Sequence, residues 1–276
     1  MKPAPFAYYR ATSIEDAVTQ LAVTDALTRP LAGGQSLVPL LNLRLAPVDK
    51  LVDLTHVEAL KCVEQNADGV RYGALLTHAA FEDRLVPDVS NGLMPFVGSQ
   101  IAYRAVRTRG TIGGAIALAD PAADWLTTVI ALESSIALVG PQGRRTLTAT
   151  DFATGPYMTA LDDGEIIEAI VVPRRPNTER WGHYKMARKT GEYAESMAIA
   201  LIDKSLGTAR LVVGAADGAP LVLEKSAREI SGGKTDENLA SIIHQELVDC
   251  GREFSPAKLL LHRTVSLRAI QNASTP

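Results

Sequence analysis

The stretch whose reading decides the fold is "RPLAGGQSLVPLLNLRLAPVDKLVDL", residues 29–54. An apolar run breaks at Gly33–Gly34, passes through the polar pair Gln35 and Ser36, and then resumes. A simple chain reversal would be served by Asn-Gly or Asp-Gly. Two adjacent glycines instead suit a place where something approaches the main chain closely, because no Cβ stands in the way. "RPLAGG" therefore reads as a short strand ending in the glycine pair, and "SLVPLLNLRL" as a helix that tolerates Pro39 in its first turn. "LVDL" is the next strand.

Working outward, "SIEDAVTQLAV" has helical spacing: Ile14, Ala17, Val18, Leu21 and Ala22 share a face, Ser13 is placed as the N-cap, and Asp16 stands at the capping-box position. Helix, strand, glycine turn, helix, strand predicts a small α/β unit at the N-terminus. "GVRYGALLTHAAFEDRLV" repeats strand then helix with Thr77 as cap, and "LMPFVGSQIA" reads as a buried helix. In "VRTRGTIGGAIALADPAADWLTTVIALES" the chain meets Gly110, then Gly113–Gly114, then a long helix expected to be capped by Asp120 with Pro121 first inside it. "SIALVG", "RRTLT" and "GEIIEAIVVP" read as strands. The Pro/Arg stretch at residues 173–176 is the expected domain boundary. Beyond it come antiparallel strands in "WGHYKMARKTGEYAESMAIALID" and "TARLVVGAAD", then helices in "ENLASIIHQELVDC" and "PAKLLLHRTVSLRAIQNA".

The 276 residues are 46% hydrophobic and 21% charged, the balance of a soluble globular protein with a sizeable core. Net charge is -3 without a basic block, which argues against nucleic acid as a partner. "MKPAPFAYYRATS" lacks the apolar segment of a secretory signal, and no run approaches the roughly 20 apolar residues of a membrane span, so a cytoplasmic location is expected. Cys62 and Cys250 are too few for a zinc ribbon or an iron–sulfur cluster, and the histidines show no paired metal spacing. No metal site is expected in this chain, and any redox work must use an organic cofactor.

Two double-glycine turns stand out, "AGGQS" and "TIGGA". Each follows a strand-like segment, so each is expected to present consecutive backbone N–H groups as an anion-binding nest. A charge-assisted hydrogen bond contributes about 1.5–3 kcal/mol, so a few of them suffice for a phosphate-bearing ligand without a nearby lysine. Neither stretch has the G-x-G-x-x-G or G-x-x-x-x-G-K-[ST] pattern, which argues against a Rossmann or P-loop site.

"AGGQSLVPLLNLRL", "LVDL" and "RGTIGGAIALADPAADW", with "PFAYYRATSIEDAV" before them and "YKMARKTGEYAES" after, resemble the FAD-binding medium subunit of molybdenum hydroxylases. That family includes the flavoprotein subunit of aerobic carbon monoxide dehydrogenase and the middle region of xanthine dehydrogenase, and the likeness runs nearly the whole chain in register. It implies an α+β fold: a PCMH-type FAD-binding domain, similar to that of vanillyl-alcohol oxidase, over residues 1–175. That domain has two α/β subdomains, about 1–55 and 56–175. A C-terminal domain of antiparallel sheet and helices follows over residues 176–276.

The resemblance implies that Ala32, Gly33, Gly34, Gln35 and Ser36 wrap the FAD diphosphate from one side. Thr111, Ile112, Gly113, Gly114 and Ala115 would wrap it from the other. Asp124 matches a family acid that hydrogen-bonds cofactor hydroxyls, a suitable role for an acceptor-only carboxylate. Tyr193 matches an aromatic beside the isoalloxazine ring, and Lys185 and Ile167 align with further flavin-contacting positions. Arg44, Arg104, Arg107 and Arg109 are expected to be surface or ion-pair residues. Ala115 stands where the family commonly has Asn or Ser, and Gln35 where some members have His; backbone N–H groups compensate for the first, and both side chains of the second can donate.

The implied role is the FAD-binding electron-transfer subunit of a heteromeric enzyme, taking electrons from the [2Fe–2S] clusters of a small subunit and passing them to an external acceptor. A large subunit would carry molybdopterin, in a dimer of heterotrimers. No residue of this chain is then expected to act catalytically on the organic substrate. The alternative is a self-contained flavin oxidoreductase on the same fold.

Overall fold

The first strand, Ala7–Arg10 (β1), lacks the alternation that marks a strand in sequence, and only its pairing reveals it. It runs parallel to Lys50–Asp53 (β3), which on its other side pairs in parallel with Thr28–Leu31 (β2). Helices Ile14–Leu21 (α1) and Leu37–Asn42 (α2) make the connections. The computed structural model describes residues 2–23, 26–233 and 237–274. Within them no helix is long and apolar enough to cross a membrane.

Local sequence chemistry places α1 as expected. Ser13 Oγ accepts from Asp16 N at 3.1 Å, while the Asp16 carboxylate reaches back to Thr12 N at 2.9 Å and Tyr9 OH at 2.8 Å. These bonds hold its pKa below the ordinary carboxylate value, the Thr12 amide contributing most.

A 3-10 turn, Glu58–Lys61, leads into a second sheet that is antiparallel throughout. Its strands are Val63–Gln65 (β4), Gly69–Gly73 (β5), Ser135–Gly140 (β6), Gly143–Thr148 (β7) and, later in the chain, Ile166–Pro173, in the order β4-β5-last-β6-β7. Among the described residues, parallel α/β pairing is thus confined to the N-terminal stretch. Between β5 and β6 lie five helices: His78–Glu82 (α3), Leu93–Gln100 (α4), Arg104–Arg107 (α5), Ile112–Leu118 (α6) and Asp124–Ala131 (α7). A short helix, Ala149–Phe152 (α8), and a hairpin, Ala153–Gly155 (β8) with Met158–Thr159 (β9), precede the last strand, β10.

The third sheet is a meander of Arg180–Met186 (β11), Ser196–Asp203 (β12), Thr208–Gly214 (β13) and Leu221–Val222 (β14). Every residue of β12 is buried, because the strand is covered on both faces. Ile199 and Leu201 join Trp125, Leu126 and Ile130 in the central core, whereas Ala198, Ala200 and Ile202 pack on the closing helices. Those helices are Glu224–Ser231 (α9), Glu237–Val248 (α10) and Pro256–Ser274 (α11). Coverage on both faces explains why "SMAIALI" reads as a continuous apolar run. It also fixes the third sheet firmly against α7, whose N-terminus belongs to the candidate site.

Candidate cofactor site

The first glycine motif joins β2 to α2, and its geometry is lopsided. Gly34 O accepts from Val38 N at 3.1 Å, Ser36 O accepts from Leu40 N at 3.2 Å, and Gly33 O accepts from Gln35 Nε2 at 3.2 Å. The carbonyls are thus used locally. The amides of Ala32, Gly33, Gly34, Gln35 and Ser36 find no acceptor among the described residues. Gly34 has φ +72°, the left-handed conformation that glycine adopts without a steric cost. Consecutive unpaired N–H groups on such a turn form a nest for an anion.

Gly33 serves a different end. A Cβ there would lie 2.1 Å from Arg109 O and 2.8 Å from Gly110 Cα, so the first loop rests directly on the backbone that leads into the second. The glycine pair thus divides into one residue for loop-to-loop contact and one for backbone conformation.

The second motif departs from expectation. Thr111 is the N-cap of α6, its Oγ1 accepting from Gly114 N at 3.2 Å. Ile112 N donates to Leu76 O at 3.0 Å, Gly113 N to Ala74 O at 2.9 Å, and Ala115 N to Thr111 O at 3.0 Å. The amides expected to form a second nest are therefore spent inside the protein. Gly113 is pressed on Ala74, whose Cβ would be 2.5 Å from an added Cβ, and Ile112 is fully buried in the core. Gly114 remains exposed, and an added Cβ would stand 3.6 Å from that of Ala32 on the first loop. What α6 still offers an anion is the positive end of its dipole.

Asp124 opens α7, buried to 6% exposure. Lys185, on β11, donates to both its oxygens at 3.0 and 2.9 Å. Burial pushes the Asp124 carboxyl up, and the Lys185 charge pulls it part of the way back. Each of the two side chains thus has the other as partner. Asp120 is not the N-cap of α7; that position is Ala123, without a side-chain bond. The Asp120 carboxylate instead accepts from Ala122 N at 2.9 Å and Tyr157 OH at 3.1 Å, closing the turn before the helix.

A cavity of about 490 Å³ runs between these pieces, inside the size range of small-molecule sites. The whole 32–36 loop lines it, as do Thr111, Gly113, Gly114, Ala115, Asp124 and Ile167. Tyr193 also lines it and is 58% exposed. Ile112 and Lys185 lie outside its wall. Sequence reasoning missed Arg29, His78 and Ala102 as wall residues, and no local pattern marks them. Arg104 and Arg107 form ion pairs as expected, both with Glu82. Arg107 also donates to Ile101 O and Ala102 O, which fixes that stretch of wall.

A family model described as the FAD binding domain in molybdopterin dehydrogenase matches residues 4–175. The chain belongs to this family.

Two relatives and one solved structure carry the likeness past residue 175. The chain is 36% identical over 221 residues to the nicotine 6-hydroxylase medium subunit of Paenarthrobacter nicotinovorans, covering 79% of this chain and 77% of that one. It is 33% identical over 243 residues to the carbon monoxide dehydrogenase medium chain of Afipia carboxidovorans, covering 86% and 83%. A crystal structure of quinoline 2-oxidoreductase from Pseudomonas putida 86 superposes with a TM-score of 0.90 at 31% identity, over 99% of this chain and 98% of that one. The α+β, PCMH-type architecture inferred from the sequence accords with these likenesses. The protein is thus an FAD-binding component of an oxidoreductase.

The groups lining the cleft of this FAD-binding chain fit that cofactor. Unpaired amides at 32–36 suit a diphosphate, the acid Asp124 and many apolar residues line the cavity, and an exposed tyrosine stands at its wall.

Proposed function

We propose that this chain is the electron-transfer subunit of a heteromeric molybdenum hydroxylase or dehydrogenase. It would receive electrons from the [2Fe–2S] clusters of a small partner subunit and deliver them to an external acceptor. A large partner subunit would carry molybdopterin and the organic substrate, in a dimer of heterotrimers placed in the cytoplasm. The chain divides, in this reading, into an FAD-binding domain of residues 1–175 and a C-terminal domain of residues 176–276.

FAD, when bound, supplies the capacity to take up and release electrons. The residues of this chain bind and orient it. Ala32, Gly33, Gly34, Gln35 and Ser36 hold the diphosphate through amide hydrogens. Thr111, Ile112, Gly113, Gly114 and Ala115 close the other side: Thr111 caps α6 and aims its dipole, Gly113 and Ile112 anchor that helix, and Gly114 and Ala115 leave room. Asp124 accepts from cofactor hydroxyls while Lys185 steadies its charge. Ile167 packs on the cofactor and Tyr193 flanks the flavin, shielding it from water.

The observation that carries this reading is the run of amides without acceptors on Ala32–Ser36, beside a helix start and in the wall of the cleft. The Gly34→Asp variant tests it by placing a carboxylate among those amides. Flavin absorbance at purification is expected to collapse while the far-UV circular dichroism survives. Full FAD occupancy in that variant would falsify the diphosphate assignment.

A further inference from the structure

His78 is the first residue of α3; it belongs to the cavity wall and is only 5% exposed. Trp125 Nε1 donates to His78 Nδ1 at 2.9 Å. An indole nitrogen is a donor only, so Nδ1 is the unprotonated nitrogen and the ring proton sits on Nε2. Burial, with a smaller contribution from the Arg107 charge, pushes the pKa down to about 4, so the ring is neutral near pH 7.

The ring's place is fixed as firmly as its tautomer. His78 N donates to Gly110 O at 3.0 Å, and a Cβ at Gly110 would fall 2.6 Å from His78 Nε2. Glycine at 110 therefore makes room for the imidazole. Among the described residues the only side-chain hydrogen bond of the ring is that from Trp125 to Nδ1. The partnerless ring nitrogens sealed away from solvent among the described residues belong to His183, His244 and His262, and His78 Nε2 is not one of them. His78 lines the cavity, so the cavity is where a partner for Nε2 is to be sought.

A phenylalanine or leucine would fill the same space without an N–H to satisfy. A neutral donor held in one tautomer and left unpaired at a cavity wall has a ligand acceptor as its natural partner. The neighbouring wall residues Ile101 and Ala102 indicate which part of the ligand. A Cβ at Gly191 would lie 2.7 Å from Ala102 O, so the loop bearing Tyr193 is seated on this same stretch.

We infer that His78 is a cofactor-binding residue whose Nε2–H, oriented by Trp125, donates a hydrogen bond to an acceptor atom of the flavin ring. This rests on the FAD reading given under Proposed function.

The test is titration of the full chain, as wild type, His78→Leu and His78→Gln, with FAD, riboflavin and ADP. In His78→Leu the Kd for FAD and for riboflavin is expected to rise about tenfold, the worth of one good hydrogen bond. His78→Gln, which keeps an N–H near the Nε2 position, recovers most of it. ADP binding is unchanged in both. Unchanged FAD affinity in His78→Leu overturns the inference, and so does an equal loss of ADP affinity, which would mean that His78 acts through the glycine loops. Wild-type protein that binds none of the three ligands removes the FAD reading itself.

Should His78→Leu fail to fold, nitrogen-15 spectra of histidine-labelled wild type decide. The expected pattern is an unprotonated Nδ1 and an Nε2 proton that moves downfield when FAD is added. A protonated Nδ1, or an Nε2 proton that FAD leaves unmoved, overturns the inference.

Discussion

Lys185 Nζ lies 2.9 Å from Asp124 Oδ2, with both side chains largely buried, so that β11 of the third sheet is tied to the first turn of α7. The pair joins two parts of the chain 61 residues apart, and of the two Asp124 lines the cavity while Lys185 stands behind it. It couples the stability of the C-terminal sheet to the charge that faces the cavity.

Removing one partner of such a pair leaves an uncompensated buried charge. Lys185→Met is expected to destabilise the protein by about 3–5 kcal/mol at pH 7. The effect should shrink toward pH 4. Asp124 already has a raised folded-state pKa, and without Lys185 it rises further. Its ionisation then opposes folding above the unfolded-state value and ceases to do so once the carboxyl is protonated. Urea unfolding of both proteins across that pH range measures the difference.

Gly33→Ala is expected to be more damaging than its single methyl suggests. The new Cβ would meet Arg109 O at 2.1 Å, and backbone on either side must move. Overpacking of this kind costs about 1–3 kcal/mol. Moved loops also lose the amide arrangement, so flavin content falls with stability. Absorbance ratio and melting temperature, measured together, check both; a variant with normal values for each shows that the loops do not rest on one another as described.

Between pH 7 and pH 5, destabilisation should come largely from buried histidines. His78, His183 and His262 all have pKa values pushed down by burial to about 4. A histidine with a folded pKa below its unfolded 6.5 contributes stability that is present above 6.5 and lost as pH falls toward 4. For each one the loss between pH 7 and pH 5 is about 2 kcal/mol. His183, edge-to-face with Phe96 at 5.4 Å between ring centroids, is a convenient probe. The His183→Leu variant should lose less stability over that interval than wild type, by denaturant midpoint at each pH.

Tyr193→Ala separates binding from redox behaviour. The side chain is 58% exposed, so its loss should change folding stability by less than about 0.5 kcal/mol. If Tyr193 flanks the flavin as proposed, the midpoint potential or reoxidation rate should change clearly, because water would replace an aromatic beside the ring. Stopped-flow reoxidation decides; identical rates leave Tyr193 a packing residue.

Local chemistry was legible wherever its partners lie within a few residues. Ser13 and Thr77 cap their helices as read, because a cap needs only the amide three positions on. The apolar runs of β10 and β12 announced strands, and both proved largely buried. The tightly spaced motif "AGGQS" announced a backbone that a ligand can approach. Asp120 shows where this reasoning stops, since both it and Ala123 precede the helix and only the path of the intervening turn decided between them.

Sequence by itself determined the order of the elements, the positions of the glycine loops and, through several motifs in register, the family. Tertiary structure alone decided what those elements do to one another. The two glycine motifs look alike as strings, yet one keeps its amides free and the other spends them on Ala74 and Leu76, carbonyls that only folding brings alongside. Likewise Lys185 turns to Asp124, and Trp125 sets the tautomer of His78. Hydrogen bonds act over about 3 Å. Which donor meets which acceptor across dozens of residues is therefore a property of the packed chain, and no local pattern encodes it.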